Sequence, residues 1–316
     1  MTIRRARGAR INNTIIDFTS GWLVANIGHD NRAVRRAIHK AQGWAVIDRH
    51  ENPWRTRAEE ALCSTLPEYL RHVQFYNSGS EAIDAAIRIG GGSAIAHPRA
   101  FHGSTIGAQS IPRHGSTDLK SWPPAILVET FHGAWCEWHS TGAIDALRGH
   151  QRQFRKVIFD EMQAGFGRTG KWWGFEHYDI EPDLVVGGKA MAGGLPMAFV
   201  AGRKALMARF GAESTFSGNA LCSAACVATI GEIRRRKLIE RVGALELLIL
   251  AAFPEAQGRG FAYAFDHPEA DAVCDRALDR GLLLLHTGRD TVKICPPLTI
   301  SRRDLIHGLD IIKECL

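Results

Sequence analysis

Two short apolar runs, each leading to a side chain that can carry charge, constrain this chain more than any other feature. The run Val157-Ile158-Phe159 ends in Asp160. The run Leu184-Val185-Val186 is followed by two glycines and Lys189, and two more glycines stand at positions 193 and 194. Short continuous apolar runs bounded by turn residues are typical of buried strands. The sequence therefore predicts two buried strands with an aspartate and a lysine at their ends.

A lysine and an aspartate in these positions suit pyridoxal phosphate (PLP) as a cofactor. Lysine can form a Schiff base with the aldehyde of PLP, and a carboxylate can pair with its protonated pyridine nitrogen. An unpaired buried charge is very costly, so Asp160 needs such a partner. We therefore predict Lys189 and Asp160 as the catalytic residues.

The start of a predicted helix offers an anion site. Ser78 and Glu81 have the spacing of a capping box. A helix N-terminus presents free N–H groups to an anion, and Gly79 would let a phosphate approach closely.

The organisation of the chain predicts an α/β fold with a mostly parallel sheet. Apolar runs, glycine-rich turns and amphipathic helices alternate between residues 59 and 232. The helices predicted before residue 241 are 33–42, 80–89 and 218–237. After residue 241 the pattern changes, and we predict two strands, 260–265 and 291–294, and two helices, 269–280 and 301–316.

Composition bounds the class of protein. The 316 residues are 45% hydrophobic and 23% charged, which is typical of one or two globular domains. We expect no membrane span, and no secretory signal because no apolar stretch follows the arginine-rich residues 1–10. Seven cysteines without a C-x-x-C pair indicate a reducing, cytoplasmic location, and Cys222 and Cys226 are interpreted as core residues rather than metal ligands. We predict no metal site.

The net charge of +6 leaves two interpretations open. The basic clusters at residues 4–10 and 234–237 are either solvated faces or contacts for a polyanionic partner.

Several motifs in order resemble class III (ω-type) PLP-dependent aminotransferases. Residues 160–170 are similar to the family sequence DEVQTGFGRTG, and residues 188–190 to GKA. Further similarities, from about residue 17 to the C-terminus, are 17–21 (DFxSG), 28–29 (GH), 77–82 (NSGTEA), 101–103 (YHG), 182–183 (PD), 215–219 (TFGGN) and 296–298 (PPL). The chain resembles a shortened member of this family.

The resemblance implies PLP-dependent transferase fold type I and a homodimer with active sites at the interface. It implies a large PLP-binding domain, 46–237, and a smaller α+β domain built from segment 1–45 and residues 238–316. The implied cofactor-binding residues are Gly79, Ser80, Phe101, His102, Glu129, Asp160, Gln163, Lys189 and Thr215.

Within that set, the resemblance implies individual roles. Gly79 and Ser80 hold the phosphate, and Thr215 reaches the phosphate of the neighbouring subunit. Phe101 stacks on the ring in place of the usual tyrosine, and Gln163 hydrogen-bonds the phenolic oxygen. Arg168, in the GRTG turn, is interpreted as structural.

Two departures concern the substrate. Lys293 stands where the family often has an arginine for the substrate carboxylate, so that recognition is weakened or reassigned. The shortened chain changes the entrance. Trp22 is either an aromatic side chain that lines the substrate pocket there or a core tryptophan. At Glu129, Thr130 replaces the usual proline.

The predicted function is transfer of an amino group between an amine or amino acid and a carbonyl acceptor, with the Schiff base on Lys189. A decarboxylase, racemase or lyase on the same scaffold is the alternative, with a large anionic substrate such as an amino-acid-modified DNA base. A non-catalytic nucleic-acid-binding scaffold is a third hypothesis, which the presence of Lys189, Asp160 and Gln163 together disfavours.

Overall fold

The fold centres on a six-stranded sheet. The computed structural model describes residues 1–43, 52–112, 124–153, 155–208 and 214–316. Its strands are β1 (Ala6–Arg7), β2 (Arg10–Ile11), β3 (Ile15–Asp17), β4 (His72–Tyr76), β5 (Ala94–Ala96), β6 (Ala125–Glu129), β7 (Phe131–His132), β8 (Glu137–Trp138), β9 (Lys156–Asp160), β10 (Leu184–Gly187), β11 (Ala198–Gly202), β12 (Gln257–Arg259), β13 (Ala262–Asp266), β14 (Leu282–Leu283), β15 (Leu285–His286) and β16 (Thr291–Ile294). Its helices are α1 (Ser20–Leu23), α2 (Arg32–Ala41), α3 (Pro53–Cys63), α4 (Gly79–Gly90), α5 (Ile106–Gln109), α6 (Thr141–Arg152), α7 (Lys204–Met207), α8 (Ala220–Arg235), α9 (Leu238–Ala252), α10 (Ala270–Asp279) and α11 (Arg302–Cys315). Short 3-10 turns cover Glu68–Leu70, Gly174–His177 and Lys189–Ala192.

The central sheet has the strand order β4-β11-β10-β9-β6-β5. Strands β5, β6, β9 and β10 are parallel neighbours, and β11 runs antiparallel to β10 and β4. The middle residues of β9 and β10 are fully buried, as continuous apolar runs between two covered faces require. The predicted α/β class with a mostly parallel sheet is confirmed.

Both chain ends meet in smaller sheets. Strand β3 pairs in parallel with β14, with Ile16 opposite Leu282, and the sheet order is β1-β2-β3-β14. A second small sheet has the order β12-β13-β16-β15. Gly308 of α11 packs tightly against Phe18. A Cβ at position 308 would lie 2.4 Å from the Phe18 ring, so this close contact depends on glycine.

The predicted helices and strands are present with boundaries shifted by one to two residues, and β16 coincides with the predicted 291–294. The helix α9 was not predicted. Its buried residues Leu238, Val242, Leu245 and Ile249 recur at helical spacing, a signal that was available in the sequence. Cys222 and Cys226 are buried in α8, as predicted. Within the described residues, no helix combines the length and apolar content needed to cross a bilayer.

Candidate active site

The carboxyl ends of three adjacent parallel strands carry the predicted chemistry. Glu129 ends β6 and is the register partner of Asp160, which ends β9. Lys189 follows β10 after the extended Gly188, and its φ of +40° is uncommon for a residue with a side chain. A cavity of about 190 Å³ opens at this edge, which we call the inner cavity. It is lined by Gly79, Ser80, Phe101, His102, Gly103, Glu129, Asp160, Met162, Gln163 and Lys189. Eight of the nine predicted cofactor-binding residues therefore meet in one cavity.

The Asp160 carboxylate is held in place by two donors. His102 Nδ1 lies 2.8 Å from Asp160 Oδ2, and the backbone N–H of Met162 donates to Oδ1 at 3.0 Å. Both side chains are buried. Each carboxylate oxygen can accept a further hydrogen bond, so Asp160 remains able to bind a cationic ring nitrogen. His102 has its own buried partner and also orients this carboxylate.

The Lys189 ammonium lies among two carboxylates and a second cation. Burial lowers the pKa of Lys189, Asp160 and Glu129 raise it, and Lys293 lowers it. A lysine with a depressed pKa supplies more neutral amine at neutral pH, which is the form that acts as nucleophile and base. The environment of Lys189 is therefore suited to both roles.

The helix start at which the sequence predicts an anion site forms the beginning of α4. Ser78 is the N-cap and accepts from the N–H of Glu81, while the Glu81 carboxylate accepts from Asn77 N–H at 2.9 Å. This confirms local capping by both residues, with the return bond made to Asn77 rather than to Ser78. Gly79 and Ser80 leave the first turn facing the inner cavity.

Two glycines keep this helix start uncovered. A Cβ at Gly79 would lie 2.9 Å from Met162 Sδ, and one at Gly103 would lie 2.4 Å from Ser80 Oγ. Gly103 also has φ +131°, which favours glycine. The N–H of Ser104 donates to Ser80 Oγ at 2.9 Å and fixes that hydroxyl. The backbone groups of α4 therefore remain accessible to an anion.

Glu129 is a buried carboxyl whose protonation depends on pH near neutrality. Burial raises the pKa of Glu129 from 4.5 to about 7. Asp160 also raises it, whereas His102 and the backbone N–H groups of Phe101 and Gly133 lower it. Glu129 Oε2 accepts from the Phe101 N–H, which ties the exposed Phe101 ring to the cavity wall.

This pKa predicts how stability changes with pH in the protein prepared without PLP. The folded state binds the Glu129 proton more tightly than the unfolded state between pH 4.5 and about 7, so stability is highest below this window and falls as pH rises through it. The loss is about 3 kcal/mol. Glu129→Gln, which mimics the protonated carboxyl, should remove this part of the dependence in urea denaturation at several pH values. The exposed Glu60→Gln is the control and should keep the wild-type slope; an unchanged slope in Glu129→Gln would contradict the assignment.

The partly buried Gln163 and the buried Lys293 form one polar unit at the side of the inner cavity. Lys293 Nζ donates to Gln163 Oε1 at 2.8 Å and also to the Gly133 carbonyl. A Cβ at Gly133 would overlap the Gln163 amide nitrogen, so the three groups are closely packed. Because its oxygen accepts from Lys293, Gln163 presents its NH₂ group as a donor.

A second cavity, the outer cavity, adjoins the first. Its volume is about 280 Å³, and it shares Phe101, Glu129 and Gln163 with the inner cavity. Trp22 and Lys293, the two residues predicted to contact the substrate, both line it. Trp22 is 62% exposed and is therefore a surface side chain rather than a core tryptophan.

The turn α1, which carries Trp22, is left-handed. Ser20, Gly21, Trp22 and Leu23 have φ values between +50° and +64°, which is costly for residues with side chains. Buried Arg168 supports this turn by donating to Ser20 Oγ at 3.0 Å and to Asn26 Oδ1 at 2.5 Å. The interpretation of Arg168 as structural fits these bonds.

Two sets of predicted residues lie away from the inner cavity. Thr215 is exposed and does not line it, so its assignment to a neighbouring subunit stays a prediction. In the basic clusters, Arg10 pairs with Asp304, and Arg235 and Arg236 both pair with Glu232. These pairs reduce the charge available for a polyanion.

Several residues at the two cavities escaped the sequence analysis. Met162 and Gly103 shape the helix start, and Arg99, Trp135 and Arg289 line the outer cavity. Arg99 lies two residues before Phe101, which is a usable signal. Arg289 lies in a turn between β15 and β16 and has no sequence pattern that separates it from other surface arginines.

Comparisons with known proteins agree with this geometry. The family model described as aminotransferase class III matches residues 1–131 and 124–316. The acetylornithine aminotransferase of Methanosarcina acetivorans is 28% identical over 99% of this chain and 91% of its own length. That of Archaeoglobus fulgidus is 29% identical over 94% of this chain and 89% of its own length.

The solved structures show the same fold. S-selective transaminases from Arthrobacter sp. and from Bacillus megaterium each superpose with a TM-score of 0.89 at 20% identity, covering 99% of this chain and 92% of theirs. The chain belongs to the class-III aminotransferases, a family of PLP-dependent enzymes. The alignment with the Methanosarcina protein runs over 363 positions against 316 residues here, so this chain is a shortened member.

Proposed function

We propose that the inner cavity is the PLP site of this aminotransferase and that Lys189 Nζ is its covalent attachment point and its base. The observation that carries the proposal is the meeting of Lys189, Asp160 and the first turn of α4 around one cavity. A lysine, a carboxylate and a helix N-terminus provide partners for an aldehyde, a cationic ring nitrogen and a phosphate. The enzyme transfers an amino group between an amine or amino acid and a carbonyl acceptor.

The residues present fit PLP. The buried His102 Nε2 has no hydrogen-bond partner in the part of the chain that the structure describes, so this side of the cavity leaves a polar atom available to a ligand. The glycine at position 79 leaves the start of α4 open, and Ser80 adds a hydroxyl. Asp160 would hold the ring nitrogen and the Gln163 amide the phenolic oxygen.

When bound, PLP supplies an electrophilic aldehyde carbon and an electron-withdrawing ring. The side chains of the protein position the bound groups and transfer the proton. Lys189 Nζ, once released, accepts and returns the proton, and its depressed pKa suits that exchange. The Phe101 ring, 60% exposed at the mouth, covers the inner cavity from the solvent side. His102 holds the Asp160 carboxylate still at 2.8 Å.

Labelling tests the attachment point. Purified protein incubated with PLP and reduced with borohydride should carry one pyridoxyl group, found on Lys189 by peptide mapping. Lys204→Ala, an exposed lysine of α7, is the control and should label as the wild type does. A label on another lysine, or no label with PLP in excess, would overturn the assignment.

We also propose a homodimer in which Thr215 contributes to the partner's phosphate site. Thr215 and the neighbouring Phe216 lie in the stretch that resembles a family motif, and both are exposed on this subunit. Thr215→Ala should weaken PLP retention about tenfold, measured by equilibrium dialysis, because a hydroxyl donor to a charged phosphate is lost. Its circular dichroism spectrum should be unchanged. A fully active monomer in analytical ultracentrifugation would refute the shared site.

The division into residues 1–45, 46–237 and 238–316 remains a proposal as well. The pairing of β3 with β14 supports it, because the first and last segments share one sheet. We place the enzyme in the cytoplasm, since all seven cysteines are free in the structure.

For the substrate we propose a free amine or amino acid, in line with the names of the acetylornithine aminotransferase relatives. An amino-acid-modified base in DNA is the alternative. The two are separated by incubating the enzyme with free amino acids and with modified DNA, and following the cofactor absorption bands in each case.

A further inference from the structure

The outer cavity carries an excess of positive charge. Besides Trp22 and the shared residues, it is lined by Arg99, Trp135, Arg289 and Lys293. Glu129 is the acidic side chain among the described residues that line it, and its raised pKa makes it partly protonated near neutrality. The lining of the outer cavity therefore carries three cationic side chains and one carboxyl group, and the Glu137 carboxylate that pairs with Arg99 lies outside it.

Both arginines are held against the same tryptophan. The Arg99 guanidinium lies 4.8 Å from the centre of the Trp135 ring, and that of Arg289 lies 5.8 Å from it. Cation–π contacts at these distances orient a guanidinium without occupying its N–H donors. Trp135 thus holds two guanidinium groups at the outer cavity.

The two arginines retain free donors. Arg99 uses one nitrogen in an ion pair with Glu137, and a guanidinium has five N–H groups. In the described ranges, the exposed Arg289 side chain makes no hydrogen bond or ion pair. Its donors are available to a ligand that enters the outer cavity.

Lys293, by contrast, is already engaged. The residue is only 3% exposed, and its ammonium donates to the Gly133 carbonyl and to Gln163 Oε1. Two of its three N–H donors are therefore used within the protein. Lys293 adds charge to the cavity wall but cannot make a two-point contact with an anion.

We propose that the outer cavity binds an oxyanion, a carboxylate or a phosphate, at the end of the substrate remote from the reacting amine. Arg289 and Arg99 are its specificity-determining residues. The amine enters the inner cavity toward Lys189 while the oxyanion stays beside Trp135, since the two cavities share Phe101, Glu129 and Gln163. Anion recognition is thus reassigned from position 293 to the two arginines. This inference rests on the proposed function.

Three amines of similar length test the proposal by kinetics: butylamine, 4-aminobutyrate and 3-aminopropyl phosphate. The holoenzyme should favour the two anionic amines over butylamine, and the better of the two identifies the oxyanion. Arg289→Gln should raise KM for the preferred anionic amine about 10–100-fold, because charge-assisted hydrogen bonds are lost, while butylamine changes less than about twofold. Arg289→Lys should restore part of the loss.

A matched control is available in a second arginine–tryptophan contact. Arg259 lies 4.8 Å from the centre of the Trp138 ring and does not line the outer cavity. Arg259→Gln removes the same kind of contact and should leave KM for all three amines at the wild-type value. Equal effects of Arg259→Gln and Arg289→Gln would overturn the proposal.

Binding without turnover gives an independent readout. In borohydride-reduced holoenzyme, titration calorimetry with glutarate and with propyl phosphate should show an affinity that Arg289→Gln weakens about tenfold or more and Arg259→Gln does not. If butylamine is converted as efficiently as both anionic amines and Arg289→Gln has no effect, this inference fails and the proposed function stands. If no amine is converted and Lys189 takes no label, the proposed function itself fails.

Discussion

Lys189→Ala should lower kcat/KM for amino transfer on the order of 10⁴-fold. In the role proposed above, Lys189 is both the amine that would bind the cofactor and the base that would move the proton, so one substitution removes both. Lys189 is the one lysine among the described residues that line the inner cavity. Lys293 cannot replace it, because its ammonium is bound to Gly133 and Gln163.

The measurement is a single-turnover assay followed by the cofactor absorption bands. Lys189→Arg should be as inactive as the alanine variant, because a guanidinium keeps the charge but does not release a proton near neutral pH. An added small amine, such as methylamine, should restore part of the proton transfer in Lys189→Ala. Lys204→Ala is the control and should stay within twofold of the wild type. Lys189→Ala with activity within tenfold of the wild type would exclude the proposed role.

Arg168→Met should lower the free energy of unfolding by about 3–5 kcal/mol. Arg168 is fully buried and donates to Ser20 Oγ, Asn26 Oδ1 and the carbonyls of Phe261 and Pro296. Methionine leaves these four acceptors in the interior without their donor. The bonds also connect α1 to the strands near the C-terminus, so we expect the turn that carries Trp22 to loosen as well.

Urea denaturation followed by fluorescence measures the decrease in the free energy of unfolding. KM for an anionic amine shows whether the turn that carries Trp22 has loosened. Arg168→Lys keeps the charge, but a single nitrogen cannot reach four acceptors. This variant should therefore lose nearly as much free energy of unfolding as Arg168→Met. Arg203→Met is the matched control. Arg203 is only partly buried and pairs with Glu181 at 2.9 Å at the surface, so this change should lower the free energy of unfolding by less than about 1 kcal/mol. Equal losses in Arg168→Met and Arg203→Met would contradict the assigned role of Arg168.

Local patterns were sufficient for the central features. The apolar runs before Asp160 and Lys189 became β9 and β10, and the capped start of α4 formed as predicted. Each depends on residues close together in the chain, whose hydrophobicity and hydrogen bonding act over short distances. Helix α9 shows that the same signal can be overlooked, since its spacing was equally regular.

The sequence by itself determined the buried strands, the glycine-flanked Lys189, the carboxylate of Asp160 and the family to which these motifs belong. Only the tertiary structure decided that Lys293 bonds to Gln163 and that Arg99 and Arg289 share Trp135. These partners lie far apart in the chain, and no local preference relates them. Their contacts arise when β16 and the turn before it pack beside the carboxyl edge of the central sheet. That packing minimises the apolar area exposed to water over the whole molecule, so it depends on all of the chain at once.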